Sequence, residues 1–159
     1  MSNIILIGGG GHCRVVIDIF NSLGIVPHGI FDDNESSHGK KIMGIPVLGK
    51  IDEIPEYNEK VNHAVITITD PNTRFILTKK CNKINLDITG CIHPSAILSS
   101  SANVSSKAQI CPGSIINPFS LIKDHTIINT GAIIEHNTTI GPYSHIAPAA
   151  KILGGASIG

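Results

Sequence analysis

The stretch Ser114-Ile115-Ile116-Asn117-Pro118-Phe119-Ser120-Leu121-Ile122-Lys123-Asp124-His125-Thr126-Ile127-Ile128 carries an isoleucine at every sixth position, Ile116, Ile122 and Ile128. A small residue stands two positions before each one: Ser114, Ser120 and Thr126. Outward in both directions the period holds without a slip. It runs back through Ile110, Val104 and Leu98 to Ile92, and forward through Ile134, Ile140, Ile146 and Ile152 to Ile158. The small residue recurs as Ala96, Ala102 and Ala108 upstream and as Ala132, Thr138, Ser144, Ala150 and Ala156 downstream. A six-residue period is far from helical. It suits a triangular solenoid with one short strand per face and three faces per coil. The aliphatic side chain then fills the prism, and the small residue lies near a corner where a larger one would not fit. Pro94, Pro112, Pro118, Pro142 and Pro148 each fall two positions after an aliphatic, where a missing N–H costs no ladder bond. Gly113, Gly131 and Gly155 come one position later, where a left-handed backbone is expected.

Residues 1–88 obey another rule. Ile4-Ile5-Leu6-Ile7 reads as a buried parallel strand, and Gly8 to Gly11 as the turn after it. Val15 to Leu23 has helical spacing and stops at Gly24. His28 to Phe31 is a second strand that ends at Asp32-Asp33, and Pro46 to Gly49 is a short extended piece. Ala64 to Thr69 is a third strand and Asn72 to Cys81 a second helix. The alternation implies a small, Rossmann-like parallel α/β sheet. The expected domains are therefore 1–88 and 89–159, joined between Leu86 and Gly90. The array stops inside a hexad at Ser157-Ile158-Gly159 with no cap, so the solenoid is expected to be a truncated one.

Composition excludes several classes. The 159 residues carry no net charge and no basic cluster, which argues against nucleic acid or a membrane surface as partner. No apolar stretch is long enough to span a bilayer, and Met1-Ser2-Asn3 does not open a signal peptide. A cytoplasmic protein is expected. Cys13, Cys81, Cys91 and Cys111 form no CxxC and no zinc spacing, and are expected to be reduced, mostly buried thiols.

The turn Gly8-x-Gly10-x-x-Cys13 lacks the third small residue of the dinucleotide fingerprint. Bare amides at a helix N-terminus still suit an anion. Asp32-Asp33 stands at a strand end, where ligands of such sheets bind, and can accept hydrogen bonds from a ribose or base.

The glycine turn with His12, then Phe31-Asp32-Asp33, then Cys91-Ile92-His93-Pro94-Ser95-Ala96 opening an array that contains Ile134-Glu135-His136-Asn137 and Tyr143-Ser144-His145, resembles one family. It is the sugar acetyltransferase family that includes sialic acid O-acetyltransferases and bacterial UDP-4-amino-sugar N-acetyltransferases. The resemblance runs from residue 3 to the end. It implies that the coil is a left-handed β-helix, against the usual right-handed crossover rule. It implies acetyl-CoA as co-substrate, no metal, and a homotrimer with the active site between neighbouring solenoids. It implies His136 as general base with Glu135 orienting it, and His145, Asn129 and Gly154 at the acetyl-CoA site. It also implies Gly10, Gly11 and His12 at the sugar and phosphates, and Asp32 and Asp33 at the nucleoside. Thr69 departs from the family's usual glycine and bears on which nucleotide sugar is taken.

On the residues themselves, an imidazole titrates near neutral pH and can take a proton from an amine or hydroxyl. One coil on either side of His136 lie Pro118 and Gly154, neither able to compete for its proton, and Gly154 should leave space beside the ring. His93 and His125 read as surface residues. The implied activity is acetyl transfer to the amine or hydroxyl of a nucleotide-linked sugar for surface glycans. The alternatives are a sialic acid O-acetyltransferase, a non-catalytic binding or assembly solenoid, and a zinc enzyme using His125, His136 and His145, whose spacings do not stack in one column.

Overall fold

The computed structural model describes residues 3–57 and 61–159; Met1 and Ser2, on which the reading of the chain start rests, lie outside the described residues. The chain divides into two compact units between Thr89 and Gly90.

The first unit is a six-stranded sheet in the order β3-β4-β2-β1-β5-β6. Its strands are β1 (Ile4–Ile7), β2 (Gly29–Phe31), β3 (Lys41–Ile42), β4 (Ile45–Gly49), β5 (His63–Ile66) and β6 (Asp87–Ile88). All pairings are parallel except β3 with β4, a hairpin at the edge. β1 is central and buried over Ile5, Leu6 and Ile7, as a run of bulky aliphatics in a doubly covered sheet should be. Helix α1 spans Gly11–Ser22 and is followed by Gly24 at φ +70, the left-handed terminator that its glycine promised. It begins four residues before the expected Val15. No side chain caps it at Gly10, so the glycine turn runs straight into the first helical turn, which has no sequence marker. Helix α2 spans Pro71–Lys83, and Asp70 caps it by accepting a hydrogen bond from the Thr73 amide at 2.7 Å. β5 stops at Ile66, leaving Thr67 to Thr69 as a loop rather than strand. The two-residue strands β3 and β6 have no periodicity and escape the sequence reading.

The second unit is a coil of two-residue strands in three parallel sheets. One sheet holds β7 (Cys91–Ile92), β10 (Gln109–Ile110), β13 (Ile127–Ile128) and β16 (His145–Ile146). The second holds β8 (Ile97–Leu98), β11 (Ile115–Ile116), β14 (Ile133–Ile134) and β17 (Lys151–Ile152). The third holds β9 (Asn103–Val104), β12 (Leu121–Ile122), β15 (Thr139–Ile140) and β18 (Ser157–Ile158). Partners are eighteen residues apart throughout, as in Ile116 with Ile134 and Ile122 with Ile140. Ile110, Ile116, Ile122, Ile128, Ile134 and Ile140 fill the prism, each burial worth roughly 1.5–3 kcal/mol. The small corner residues do more than fit. Ser114, Ser120, Thr126 and Thr138 are buried, and each hydroxyl donates to a carbonyl fifteen residues on: Asn129, Glu135, Gly141 and Leu153, at 2.8–3.1 Å. These bonds tie each coil to the next.

Among the described residues no helix is long and apolar enough to cross a membrane.

Candidate active site

In the first unit the carboxyl ends of β1, β2 and β5 open on a cavity of about 540 Å³. It sits where ligands of open α/β sheets bind. All six residues singled out there, Gly10, Gly11, His12, Asp32, Asp33 and Thr69, line it. The four glycines divide into two pairs. Gly8, at φ +105, has Ile68 Cγ1 2.6 Å from where a Cβ would stand, and Gly9 has Asp32 Oδ2 and Ile42 Cδ1 each 3.0 Å from it, so both serve the fold. Gly10 and Gly11 meet nothing within 4 Å on that side, which leaves their backbone open to a ligand. His12 is buried at the start of α1.

The two aspartates are already engaged. Asp32 accepts hydrogen bonds from the Gly9 amide and, at 2.6 Å, from the Asn34 amide. Asp33 accepts one from the Ile51 amide at 3.0 Å. They fix the loops around the cavity, and a ligand would use their remaining lone pairs. Arg74 was not legible as part of this region. It is fully buried in α2, and its Nη1 donates to the carbonyls of Ile68, at 3.2 Å, and Thr69. It therefore holds the Thr67–Thr69 loop, with Thr69 half-buried at the cavity. Only its place in a polar helical stretch hints at this.

In the second unit the corner between the sheets of β14 and β15 carries Glu135, His136 and Asn137. His136 is exposed. Its ring lies on Gly154: a Cβ there would stand 2.8 Å from Cε1, 2.9 Å from Nε2 and 3.3 Å from Nδ1. The space beside the ring is thus filled by the ring itself, and only glycine permits it. Glu135 does not orient His136 as expected. Its Oε2 accepts a hydrogen bond from Asn117 Nδ2 at 3.0 Å, one coil earlier. Successive side chains at a corner diverge, and the neighbour of the imidazole is instead the Asn137 amide, with Nδ2 3.0 Å from Nδ1. An amide can present either end. As placed, Asn137 Nδ2 donates to Nδ1; the amide turned end for end would accept Nδ1–H through its oxygen and leave the lone pair of Nε2 to take a proton. Asn117 and Asn137 are the residues the sequence reading left out; the eighteen-residue column that joins Asn117 to Glu135 was the available signal.

A second pair stands on the sheet of β13 and β16. Asn129 Oδ1 accepts the Thr130 amide at 2.8 Å, so its Nδ2 donates to His145 Nε2 at 3.0 Å. The neutral His145 therefore carries its proton on Nδ1. His125 is not a surface residue: it is buried and stacks on the Tyr143 ring, one coil away, with centroids 4.8 Å apart. His125, His136 and His145 thus take three different partners and do not converge. Among the described residues no three His, Cys, Asp or Glu gather as metal ligands.

Residues 3–81 match the family described as the PglD N-terminal domain. A histidine variant of perosamine N-acetyltransferase from Caulobacter crescentus, solved in complex with CoA and GDP-perosamine, is 31% identical with a TM-score of 0.91, and the match covers 99% of this chain and 74% of that one. The acetyltransferase domain of PglB from Neisseria gonorrhoeae is 25% identical with a TM-score of 0.84, over 97% of this chain and 75% of that one. An uncharacterised protein of Acanthamoeba polyphaga mimivirus is 34% identical over 98 residues; the match takes in 62% of this chain and spans only 19% of that protein. The chain belongs to the sugar acetyltransferases of the hexapeptide-repeat family. Its coil is the left-handed parallel β-helix of that family.

Proposed function

We propose that this protein transfers the acetyl group of acetyl-CoA to the amine of a nucleotide-linked sugar, in the cytoplasm, for glycan biosynthesis. The observation that carries the reading is His136, exposed at its corner with its ring seated on Gly154 and Asn137 at Nδ1. The cavity lined by Gly10, Gly11, His12, Asp32, Asp33 and Thr69 holds the nucleotide sugar, its phosphates at the uncapped start of α1. Kinship with a protein that binds CoA and GDP-perosamine supports both ligands, and its description as an N-acetyltransferase favours the amine over a hydroxyl.

The amine nitrogen attacks the thioester carbonyl while its proton passes to His136 Nε2. The tetrahedral intermediate then collapses, and the CoA thiolate leaves and takes a proton. His145, protonated on Nδ1 and held by Asn129, polarises the carbonyl. Gly154 keeps the base in place and lets the coenzyme approach, and Glu135 tunes the field of the corner through Asn117. His136 follows β14 at one corner of the prism, whereas Asn129 follows β13 at another and His145 lies in β16, on the same sheet as β13. One thioester is served by both if neighbouring chains each supply one, which supports a homotrimer.

Acetyl-CoA turnover with a panel of UDP- and GDP-linked amino sugars tests the activity. His136→Ala is expected to lower kcat by roughly 10²–10⁴ with the fold intact. Near-normal turnover in that variant defeats the mechanism, and a monomer by light scattering at micromolar concentration defeats the shared site.

A further inference from the structure

The corner that carries His136 holds three successive turns one above another: Asn117-Pro118-Phe119, Glu135-His136-Asn137 and Leu153-Gly154-Gly155. Asn137 donates its amide to the Pro118 carbonyl at 3.0 Å, and Gly155 donates its amide to the His136 carbonyl at 2.9 Å, so the turns are in direct register. Phe119 stands in the first of them, one coil from the residue that meets the His136 ring.

Two features of Phe119 oppose each other in a free protein. Its backbone is left-handed, at φ +61, a conformation that disfavours side chains and that glycine holds at the same place in the Gly113, Gly131 and Gly155 turns. The residue is 70% exposed. Among the described residues the other phenylalanines are covered or partnered: Phe20 and Phe31 are buried, and Lys79 Nζ sits 4.2 Å over the ring of Phe75. Phe119 has neither cover nor partner. Leu153, 75% exposed in the third turn, gives the same corner a second apolar side chain.

We propose that Phe119 selects the acceptor, its ring serving as the platform for the apolar face of the sugar whose amine gives its proton to His136. The inference rests on the acetyl-transfer reading. A pyranose presents axial C–H groups on a face and its hydroxyls around the rim, and a rigid aromatic ring buries such a face at little entropic cost. The acceptor must reach His136 at this corner, and in the proposed mechanism the coenzyme approaches over Gly154, in the turn on one side of His136, whereas Phe119 stands in the turn on the other side. The ring therefore falls to the acceptor. A flat face between chains would draw on the sheets, where Ile97, Ile115 and Ile133 point outward, and not on a turn.

Phe119→Gly and Phe119→Tyr test this. Glycine relieves the left-handed turn, so Tm should not fall. The KM for the nucleotide amino sugar should rise at least tenfold, that for acetyl-CoA should stay within twofold, and the trimer should persist. Tyrosine should restore the acceptor KM. An unchanged acceptor KM in Phe119→Gly, an acetyl-CoA KM that rises with it, or dissociation of the trimer overturns the inference. Calorimetric titration with the nucleotide amino sugar separates it from the activity itself. Binding without turnover that weakens in Phe119→Gly keeps the platform and refutes the acetyl transfer. Turnover insensitive to Phe119→Gly does the reverse, and neither binding nor turnover in the unaltered chain removes both.

Discussion

The place of His136 at a corner of the coil was legible in the sequence, and the role of base proposed for it rests on the family resemblance; the way it is held was not legible. A hexad pattern says which residues enter the prism and which turn a corner, but not where a corner side chain points. Hence Glu135 was matched to its sequence neighbour, while its carboxylate reaches back one coil to Asn117. Gly154 is the sharper case. Nothing in a glycine reports what lies on it, yet Cε1, Nε2 and Nδ1 of the His136 ring rest there. Gly154→Ala leaves the backbone unstrained, since Gly154 is not among the left-handed residues. The added methyl must push the ring aside, because 2.8 Å to Cε1 is well inside contact distance. An exposed imidazole moves easily, so the fold absorbs the change while the base loses its position. A misplaced catalytic group costs up to about 10²-fold in rate. Gly154→Ala is expected to lower kcat by roughly 10- to 100-fold with Tm shifted by no more than a few degrees. Unaltered kcat would mean that the seat does not position the base.

At the level of elements, the coil was readable because each rung repeats the same local demand, so twelve aliphatics in register leave one architecture. The first unit was readable in outline, since β1, β2, β5 and the two helices carry strong patterns, while β3 and β6 are two residues long. The turns were read in half. Gly113, Gly131 and Gly155 announced a left-handed backbone, and Phe119, His125, Asn137, Tyr143 and Ala149 adopt it too, at φ from 57 to 61. From Gly113 onward the coil imposes that geometry whatever residue arrives, so composition hides it. Ser101 occupies the same hexad position in the first coil and is not left-handed. This gives a controlled test. Ala149 and Ser101 are both exposed, so packing changes little at either. A β-branched residue at positive φ is a steric outlier, and Ala149→Val is expected to cost about 1–2 kcal/mol. Ser101→Val should cost no more than about 0.5 kcal/mol. Equal losses in chemical denaturation would show that the left-handed turns are not what restricts these positions.

For the molecule as a whole, the four thiols report on both units. Cys13 and Cys81 belong to the first and Cys91 and Cys111 to the second, and all four are free and buried. Burial raises each thiol above its ordinary value of 9.0: Cys13 and Cys81 to about 11, Cys111 to about 12, and Cys91 higher still, with the neighbouring Cys111 adding to it. A thiolate, not a thiol, reacts with disulfide reagents. The native protein is therefore expected to show no fast reaction with DTNB at pH 8, and all four thiols should react in denaturant. The same shift acts on stability. Below about pH 9 the thiols are protonated in folded and unfolded chains alike and the term is neutral. Above it the unfolded chain releases protons that the folded one retains, so unfolding is favoured by about 1.4 kcal/mol per pH unit for each thiol. Stability should fall from about pH 9 to about pH 11, and beyond that only the Cys111 and Cys91 terms should keep growing. Cys13→Ala with Cys81→Ala should flatten the alkaline loss in the sheet unit, and Cys91→Ala with Cys111→Ala that in the coil, as followed by urea unfolding across pH 8 to 11. Prompt labelling of the native chain, or an alkaline loss unchanged in both double variants, would show that the buried thiols do not govern it.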